Sequence, residues 1–417
     1  MSAPATMPSP AAPPQPRFPL WAIVVAGALV AGIGTGLRQV MGLYLKPITE
    51  HLGIGREAFS LAIALANLVW GMAAPFTGAA SDKYGAGKVV IFGSTCTAAG
   101  LLIMVLATSD IHLFISGVLL GFGVAGAGVI AMVGAVGRAA PPELRTQAIS
   151  KLGIGGGIGV FVAMPYAHLL IEMFGWKASL VTLAVTAILM WPLAWIVGSV
   201  PPGDSSGTSR PQSLSEALRE AFRHPSFLLL TAGFFVCGFQ VAFYALHLPA
   251  YVADRGFDAG VGVLALTMVG LGNLIGTWAA GHSAAYFPKQ YTLAFIYLGR
   301  CFVFLCFLYV PITPTLVVVL SFILGLLWLS TVPLTSSLVS TFFGPVWMTM
   351  LFGIVFFSHQ IGSFIGVWLA GWTFDLTRSY DLMWWTSIAL GIFAALVHWP
   401  ISQEPVARLK PKVAPAE

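Results

Sequence analysis

The sequence has very little charge: only 8% of its 417 residues are Asp, Glu, Lys or Arg, whereas 58% are hydrophobic. The mean hydropathy of +0.88 is far above that of a soluble domain. This composition excludes an ordinary soluble protein and predicts an all-α membrane protein that crosses the bilayer many times. The net charge of +5 does not indicate nucleic-acid binding, because membrane topology accounts for the basic excess.

The sequence also lacks the residue patterns of an enzyme or a metalloprotein. Its glycine-rich run at 153–159 follows no strand and has no Gly-Lys-Ser/Thr, which favours a helix-packing surface over a phosphate loop. We find no nucleophile–base pair and no metal-ligand spacing. The cysteines all lie in apolar segments, so they predict neither disulfides nor a zinc site: Cys96, Cys237, Cys301 and Cys306. We therefore predict no enzymatic activity, no metal and no cofactor.

Long hydrophobic runs, in contrast, fill most of the chain. With the N-terminus in the cytoplasm, thirteen basic residues fall on the cytoplasmic side of these runs and five on the other side. This asymmetry predicts a multi-pass protein of the cytoplasmic (inner) membrane with both termini cytoplasmic. We place twelve transmembrane helices at 20–45, 59–80, 88–108, 111–137, 147–172, 178–200, 227–250, 260–283, 291–311, 315–342, 347–374 and 380–401.

Three polar segments flank or separate these spans. Residues 1–19 are rich in proline and alanine, which predicts a disordered cytoplasmic tail without a cleavable signal peptide. Residues 403–417 form a second predicted cytoplasmic tail. Residues 201–226 begin as a linker and continue as a short amphipathic helix, with Ser213 and Glu216 at capping-box spacing. We expect this linker to lie on the cytoplasmic membrane surface.

The chain segments on either side of the linker, residues 20–200 and 227–402, repeat each other. One offset holds over nearly a hundred residues, which chance similarity between apolar helices rarely produces. We therefore predict two six-helix bundles related by a pseudo-repeat, an arrangement found in many secondary transporters. A shift of 203 residues pairs Gly78 with Gly281, Tyr84 with Phe287, Gly159 with Gly362, and Glu172 with Asp375.

The connection after the second span carries a specific motif. Residues 78–88 read GAASDKYGAGK, which is similar to the signature G-x-x-x-D-[RK]-x-G-x-[RK]-[RK] of the major facilitator superfamily and departs from it only at Gly87. The resemblance covers about residues 20–402 and implies the major facilitator fold with transport by alternating access. We predict that the Asp82 carboxylate meets a helix N-terminus or a base across the interface between the bundles. The predicted gating residues are Gly78, Asp82, Lys83, Gly85 and Lys88.

Within that superfamily, the chain most resembles bacterial relatives of monocarboxylate transporters and oxalate–formate exchangers. The stretches that carry this resemblance include GLRQVMGLYLKPITEHLG (36–53), GFQVAFYALHLPAYV (238–252) and FSHQIGSFIGVWLAGWTFDLTRSYD (357–381). The resemblance implies a small organic anion as substrate, most simply a monocarboxylate. Such relatives often hold the substrate carboxylate with a basic residue of the eighth span, where this chain has Asn273.

Two arginines lie deep in spans, whereas none of the 15 acidic residues does. Arg38 belongs to the first span and Arg300 to the ninth. Buried bases without buried acids leave positive charge that a substrate anion can compensate. Arg38 is the natural replacement for the missing base of the eighth span, and the alternative is a structural arginine that bonds neighbouring carbonyls. Arg300 has either a structural role or a role in binding the substrate anion.

Other polar side chains extend the predicted site. Gln240 and Tyr244 share a face of the seventh span with His247, and His359 lies in the eleventh span. Hydrogen bonding between helices is the alternative role for each of them. The imidazole of His359 is also a candidate for proton coupling, because histidine titrates near neutral pH. The predicted substrate-binding residues are Arg38, Gln240, Tyr244, Asn273, Arg300 and His359.

Three functions fit these observations. We prefer a secondary carrier for a small organic anion, driven either by protons or by exchange of one anion for another. An exporter of amphiphilic compounds is the alternative within the same class. A membrane enzyme or sensor would need a catalytic constellation or a soluble output domain, neither of which the sequence contains. The expected partners are the anion, protons in the case of symport, and the lipid bilayer, but no nucleic acid, and we expect a monomer.

Overall fold

The computed structural model describes residues 16–141, 143–201, 212–284, 286–344 and 347–409. Within these ranges the chain is helical and has no strand. Most of the two predicted tails, namely residues 1–15 and 410–417, lies outside the described residues. The α-helices are α1 (Leu20–Gln39), α2 (Leu45–Leu52), α3 (Arg56–Tyr84), α4 (Ala86–Val105), α5 (Asp110–Ala127), α6 (Val129–Ala139), α7 (Arg145–Ile188), α8 (Met190–Val197), α9 (Leu214–Phe222), α10 (Pro225–Asp254), α11 (Ala259–Ser283), α12 (Lys289–Tyr309), α13 (Pro314–Trp328), α14 (Thr331–Phe343), α15 (Met348–Thr377) and α16 (Asp381–His398).

The described chain contains 11 helical segments that are long and apolar enough to cross a membrane. One of them, Gln147–Val197, has 51 residues, which is enough for two crossings. It bends sharply at Gly175, whose φ of 78° and ψ of 164° are accessible to glycine but strained for other residues. The predicted fifth and sixth spans are therefore two crossings joined by a tight bend, and the prediction of twelve transmembrane helices is confirmed.

The fourth and tenth spans are each broken into two helices. The fourth is broken at Gly128, between α5 and α6, and the tenth at Leu329 and Ser330, between α13 and α14. Pro333 explains the second break, because proline has no amide hydrogen for the carbonyl of Leu329 and its ring clashes with that carbonyl. The break leaves the last carbonyls of α13 without helical partners.

The crossings form two six-helix bundles, with α1 packed on α7 and α8 in the first bundle and α10 packed on α15 and α16 in the second. The bundles meet where α3 packs on α15, where α7 packs on α11, and where the 3-10 turn Val40–Tyr44 packs on α10. The glycine-rich run is a packing surface, as predicted: a Cβ atom on Gly159 would overlap the backbone of Gly32 in α1. We call the end of the bundles near α9 the linker end and the opposite end the far end.

The predicted capping box of the linker helix is present. The amide of Glu216 donates to Ser213 Oγ (3.3 Å), and the Ser213 amide donates to Glu216 Oε2 (2.9 Å). Hydrogen bonding by Ser213 to the exposed Glu216 carboxyl, first from the Ser213 backbone amide and then from its side chain, lowers the pKa of that carboxyl. Arg408 attaches the C-terminal segment to this helix through Glu220 Oε2 (2.9 Å) and to α14 through the Phe343 carbonyl (2.7 Å).

Candidate functional site

A cavity lies between the two bundles. Residues of the first four spans line one side, and residues of α10 and α15 line the other. Its polar lining includes Arg38, Gln39, Asn67, Trp70 and Thr97. The wall is otherwise largely apolar and includes Leu37, Met41, Ile63, Leu120, Leu246 and Val367. A site with one cation and a mainly apolar wall suits a ligand with one negative group.

Arg38 supplies the cation of this cavity. It lies in the last turn of α1, and its Nη2 donates to Asn67 Oδ1 (3.3 Å) while its Cζ is 4.8 Å from the centroid of the Trp70 ring. Its Nε is buried and has no hydrogen-bond partner among the described residues. In the part of the chain that the structure describes, no carboxylate forms an ion pair with this guanidinium. Arg38 therefore retains both charge and hydrogen-bonding capacity for an anion.

Arg300 has the opposite environment. Its side chain is completely buried, and it donates to the carbonyls of Leu327 (2.6 Å from Nη2) and Trp328 (2.8 Å) at the end of α13. Its Nη1 also donates to Gln240 Oε1 (3.3 Å). The guanidinium thus satisfies the carbonyls that the break in the tenth span leaves free, at the negative end of a helix dipole. These contacts favour a structural role for Arg300 over substrate binding.

Gln240 and Tyr244 lie in the core of the second bundle rather than in the cavity wall. Gln240 Nε2 donates to the Ser387 carbonyl (2.8 Å), and the Tyr244 hydroxyl is 2.7 Å from Ser321 Oγ. Both side chains are fully buried. The face that they share in α10 packs against α13 and α16, and the structure brings neither of them to Arg38.

Asn273 and His359 also lie outside the cavity lining, although both were predicted to bind the substrate. Asn273 Oδ1 accepts a hydrogen bond from the amide of Leu329 (3.1 Å), so it bridges α11 to the break in the tenth span. The His359 ring lies among aromatic side chains, 5.0 Å from the Phe234 centroid and stacked on Phe356 at 5.8 Å. Of the six predicted substrate-binding residues, only Arg38 lines the cavity.

Asp82 makes an ion pair, but its partner differs from the prediction. Its Oδ1 is 2.5 Å from Arg138 Nη1, and Arg138 belongs to α6 of the same bundle rather than to the other bundle. The two side chains meet because α3 and α6 both end at the linker end, and Gly134 has no Cβ to separate them.

Among the other predicted gating residues, Gly78 lies in α3 four residues before Asp82, and Gly85 ends that helix with a φ of 92°. Lys83 lies over the Tyr84 ring, and Lys88 is exposed.

In the described chain, the polar contacts between the bundles are concentrated at the far end around Arg56, the first residue of α3. Arg56 Nη1 is 2.7 Å from Asp254 Oδ2 and 2.8 Å from Tyr380 Oη, and its Nη2 is 2.8 Å from Asp254 Oδ1. The Asp375 carboxylate accepts hydrogen bonds from the amides of Arg56 (2.9 Å) and Glu57 (2.8 Å), at the positive end of the α3 dipole. We call Arg56, Asp254, Asp375 and Tyr380 the far-end cluster.

The far-end cluster closes this end of the protein, because every member of it from the second bundle is bonded to the start of α3. Two further contacts support it: Lys46 Nζ lies 3.3 Å from Asp254, and Trp368 Nε1 donates to Glu57 Oε1 (3.0 Å). Most of these charge pairs are only partly exposed, so water screens them less than surface pairs.

Sequence reasoning missed the far-end cluster and the contribution of Asn67 and Trp70 to the cavity. One signal was available: the shift of 203 residues pairs Asp375 with Glu172, so both bundles have a carboxylate at the same place. The signal did not reveal that Asp375 meets the start of α3, 319 positions away in the chain.

The family model of the Major Facilitator Superfamily matches residues 24–367. Human monocarboxylate transporter 11 is 26% identical over 293 residues, which cover 68% of this chain and 61% of that protein. The chain therefore spans less than two thirds of that relative's length. Monocarboxylate transporter 12-B of Danio rerio is 23% identical over 406 residues (88% of this chain, 83% of the relative), and the MFS-type transporter YcxA of Bacillus subtilis is 21% identical over 391 residues (88% and 91%).

Solved structures show the same fold. A D-xylose-proton symporter superposes with a TM-score of 0.71 at 14% identity, covering 92% of this chain and 97% of that chain. A bacterial homologue of the human lysosomal transporter Spinster, in an inward-facing and unoccupied conformation, superposes with a TM-score of 0.68 at 15% identity, covering 91% and 93%. At these identities the likeness concerns the fold alone.

Proposed function

Because the chain belongs to the Major Facilitator Superfamily, a family of membrane transporters rather than enzymes, we propose that it is a secondary transporter for a small organic anion. One observation carries this proposal: the Arg38 guanidinium lies in a cavity between the bundles without a carboxylate partner in the described chain. A substrate carboxylate supplies the missing charge and accepts from the free Nε. The monocarboxylate transporters among the relatives favour the same class of substrate.

The residues that line the cavity favour a narrower class of substrate, a monocarboxylate with an apolar body. The cavity offers one cation, so a second carboxylate would be buried without a partner, at a large cost in free energy. The side chains beyond Arg38 and Asn67 are largely aliphatic and favour a branched or aromatic body over a hydroxylated one. We propose that the protein acts as a monomer in the inner membrane, with both termini and the linker end in the cytoplasm and the far end in the periplasm.

A matched series of 2-oxo acids tests this substrate class on the purified protein. Burial of each added methylene improves affinity about fourfold. We therefore expect 4-methyl-2-oxopentanoate to bind tens of fold more tightly than pyruvate, which has the same head group and no apolar body. We expect 2-oxoglutarate, which has a second carboxylate, to bind at least about tenfold more weakly than 4-methyl-2-oxopentanoate. Calorimetric titration measures all three, and equal affinity for pyruvate would exclude an apolar subsite.

The ion pair of Asp82 with Arg138 leads to a prediction about gating. Asp82→Asn removes the charge of the pair at the linker end but leaves the cavity unchanged. We expect slower exchange of labelled 4-methyl-2-oxopentanoate in proteoliposomes, with an unchanged dissociation constant in the binding assay. Arg138→Gln should have the same effect, and the double variant should be no slower than either single one, because both act on one pair. Wild-type exchange rates at equal protein amounts would show that the pair has no role in gating.

A further inference from the structure

His247 connects the far-end cluster to the cavity. It lies in α10, and only 1% of it is exposed. Its Nδ1 is 3.0 Å from Tyr380 Oη, and its Nε2 is 3.1 Å from the carbonyl of Val367, a residue that lines the cavity. The same Tyr380 hydroxyl accepts a hydrogen bond from Arg56 Nη1 (2.8 Å). A single imidazole thus contacts the closed end on one side and the cavity wall on the other.

The directions of these hydrogen bonds determine the tautomer of the imidazole, that is, which ring nitrogen carries the hydrogen. A carbonyl only accepts, so Nε2 carries the hydrogen and Nδ1 of the neutral ring accepts from the Tyr380 hydroxyl. The Tyr380 oxygen is then free to accept from Arg56. Neutral His247 therefore completes an unbroken series of donors and acceptors from Arg56 to Val367. An imidazolium would donate at both nitrogens, so the Tyr380 hydroxyl would have to turn its hydrogen away.

Protonation also adds a second cation to the cluster, separated from the Arg56 guanidinium by one hydroxyl group. Within the described chain, no carboxylate lies within ion-pair distance of the imidazole: Asp254 is bound to Arg56 and Lys46, and Asp375 to the amides of α3. Ser60 Oγ, 3.4 Å from Nε2, is its remaining polar neighbour. The charged and titratable groups around it are Lys46 on α2, Arg56 and Glu57 on α3, Asp254 on α10, Asp375 on α15 and Tyr380 before α16.

We propose that His247 is a proton-binding site of the transport cycle and that its protonation loosens the far-end cluster. This inference rests on the proposed function, because it identifies His247 as the residue that binds the proton transported with the anion. With the cavity empty, the imidazolium has no counter-charge and opposes closure of the far end. A carboxylate in the cavity supplies that charge across the Val367 backbone. Binding of the proton and binding of the anion therefore favour each other, and the two cross the membrane together.

The test uses full-length protein in proteoliposomes and labelled 4-methyl-2-oxopentanoate, which stays ionised and crosses lipid slowly. Uptake by the wild type is expected to rise as the outer pH falls, with a limit of about tenfold per pH unit for one coupled proton. His247→Gln retains an acceptor for Tyr380 and a donor for Val367 but does not titrate. We expect it to lose pH-driven accumulation while it keeps counterflow exchange and, at every pH, the affinity that the wild type has with a neutral imidazole.

His398→Gln is the matched control. His398 is fully buried in the same bundle, with its Nδ1 2.7 Å from the Ala394 carbonyl, at the linker end of α16. It should retain the pH response. Tyr380→Phe provides a second variant if His247→Gln does not fold: without the hydroxyl that protonation must reorient, the pH response should shift to higher pH.

The outcomes separate the two proposals. A wild-type pH profile in His247→Gln, or a flat profile in His359→Gln instead, overturns the assignment of the proton to His247. An unshifted profile in Tyr380→Phe overturns the link to the far-end cluster. If the wild-type protein neither binds nor exchanges the acid, the proposed function itself fails, whatever the histidine variants do.

Discussion

Replacing Arg38 by glutamine is expected to raise the dissociation constant for 4-methyl-2-oxopentanoate by tens to hundreds of fold. The guanidinium makes two charge-assisted hydrogen bonds to a carboxylate in a partly dry cavity, and their loss costs about 2–4 kcal/mol of binding free energy. Arg38→Gln should also abolish the preference for the acid over its neutral amide. Calorimetric titration of the purified, folded variant with both ligands measures these effects.

Arg38→Lys refines this prediction. Lysine keeps the charge but not the planar fork of donors, so its affinity should lie between those of the wild type and Arg38→Gln. A structural arginine would behave differently: both variants would fold poorly, and any folded fraction would bind with wild-type affinity. That second pattern would refute the anion site at Arg38.

Replacing Arg300 by glutamine is expected to destabilise the protein rather than weaken binding. The substitution leaves the carbonyls of Leu327 and Trp328 without their donor and removes the partner of Gln240 Oε1. Buried polar groups that lose charged partners cost about 3–5 kcal/mol in total. We expect a large fall in the thermal unfolding temperature and in the yield of purified protein. The fraction that remains folded should bind 4-methyl-2-oxopentanoate within about twofold of the wild type.

The two glutamine variants are controls for each other. Each removes one arginine from a membrane-spanning segment and places the same amide there, so the change in charge is identical. Arg38→Gln should lose affinity and keep its stability, because Arg38 has one hydrogen bond to lose within the described chain, to Asn67. Arg300→Gln should do the reverse. If Arg300→Gln instead loses affinity at wild-type stability, the anion site lies in the second bundle.

The far-end cluster and the Asp82–Arg138 pair lie at opposite ends of the protein, and we expect them to affect gating in different ways. The far-end contacts join the two bundles directly, so their rupture is required before the far end can open. The Asp82–Arg138 pair joins α3 to α6 within one bundle and therefore acts on the shape of that bundle. The prediction of a partner for Asp82 across the interface failed because a sequence motif identifies the carboxylate but not the helix that lies nearest to it.

The sequence by itself determined the twelve crossings, the pseudo-repeat, the turn at Gly85 and the capping box at Ser213. Each of these depends on residues close together in the chain. A bilayer also requires every span to satisfy its backbone hydrogen bonds internally, so apolar length alone identifies the spans. For the same reason, the sequence identified Arg38 and Arg300 equally well as arginines in apolar helices.

Only the tertiary structure decided which of the two arginines is available to a ligand. The answer depends on where the broken tenth span places the carbonyls of Leu327 and Trp328, which occupy Arg300 and leave Arg38 without equivalent partners. The far-end cluster likewise joins residues between 198 and 324 positions apart. Helical periodicity predicts which residues share a face of a helix. The packing of helices that are not adjacent in the chain determines which residues that face contacts.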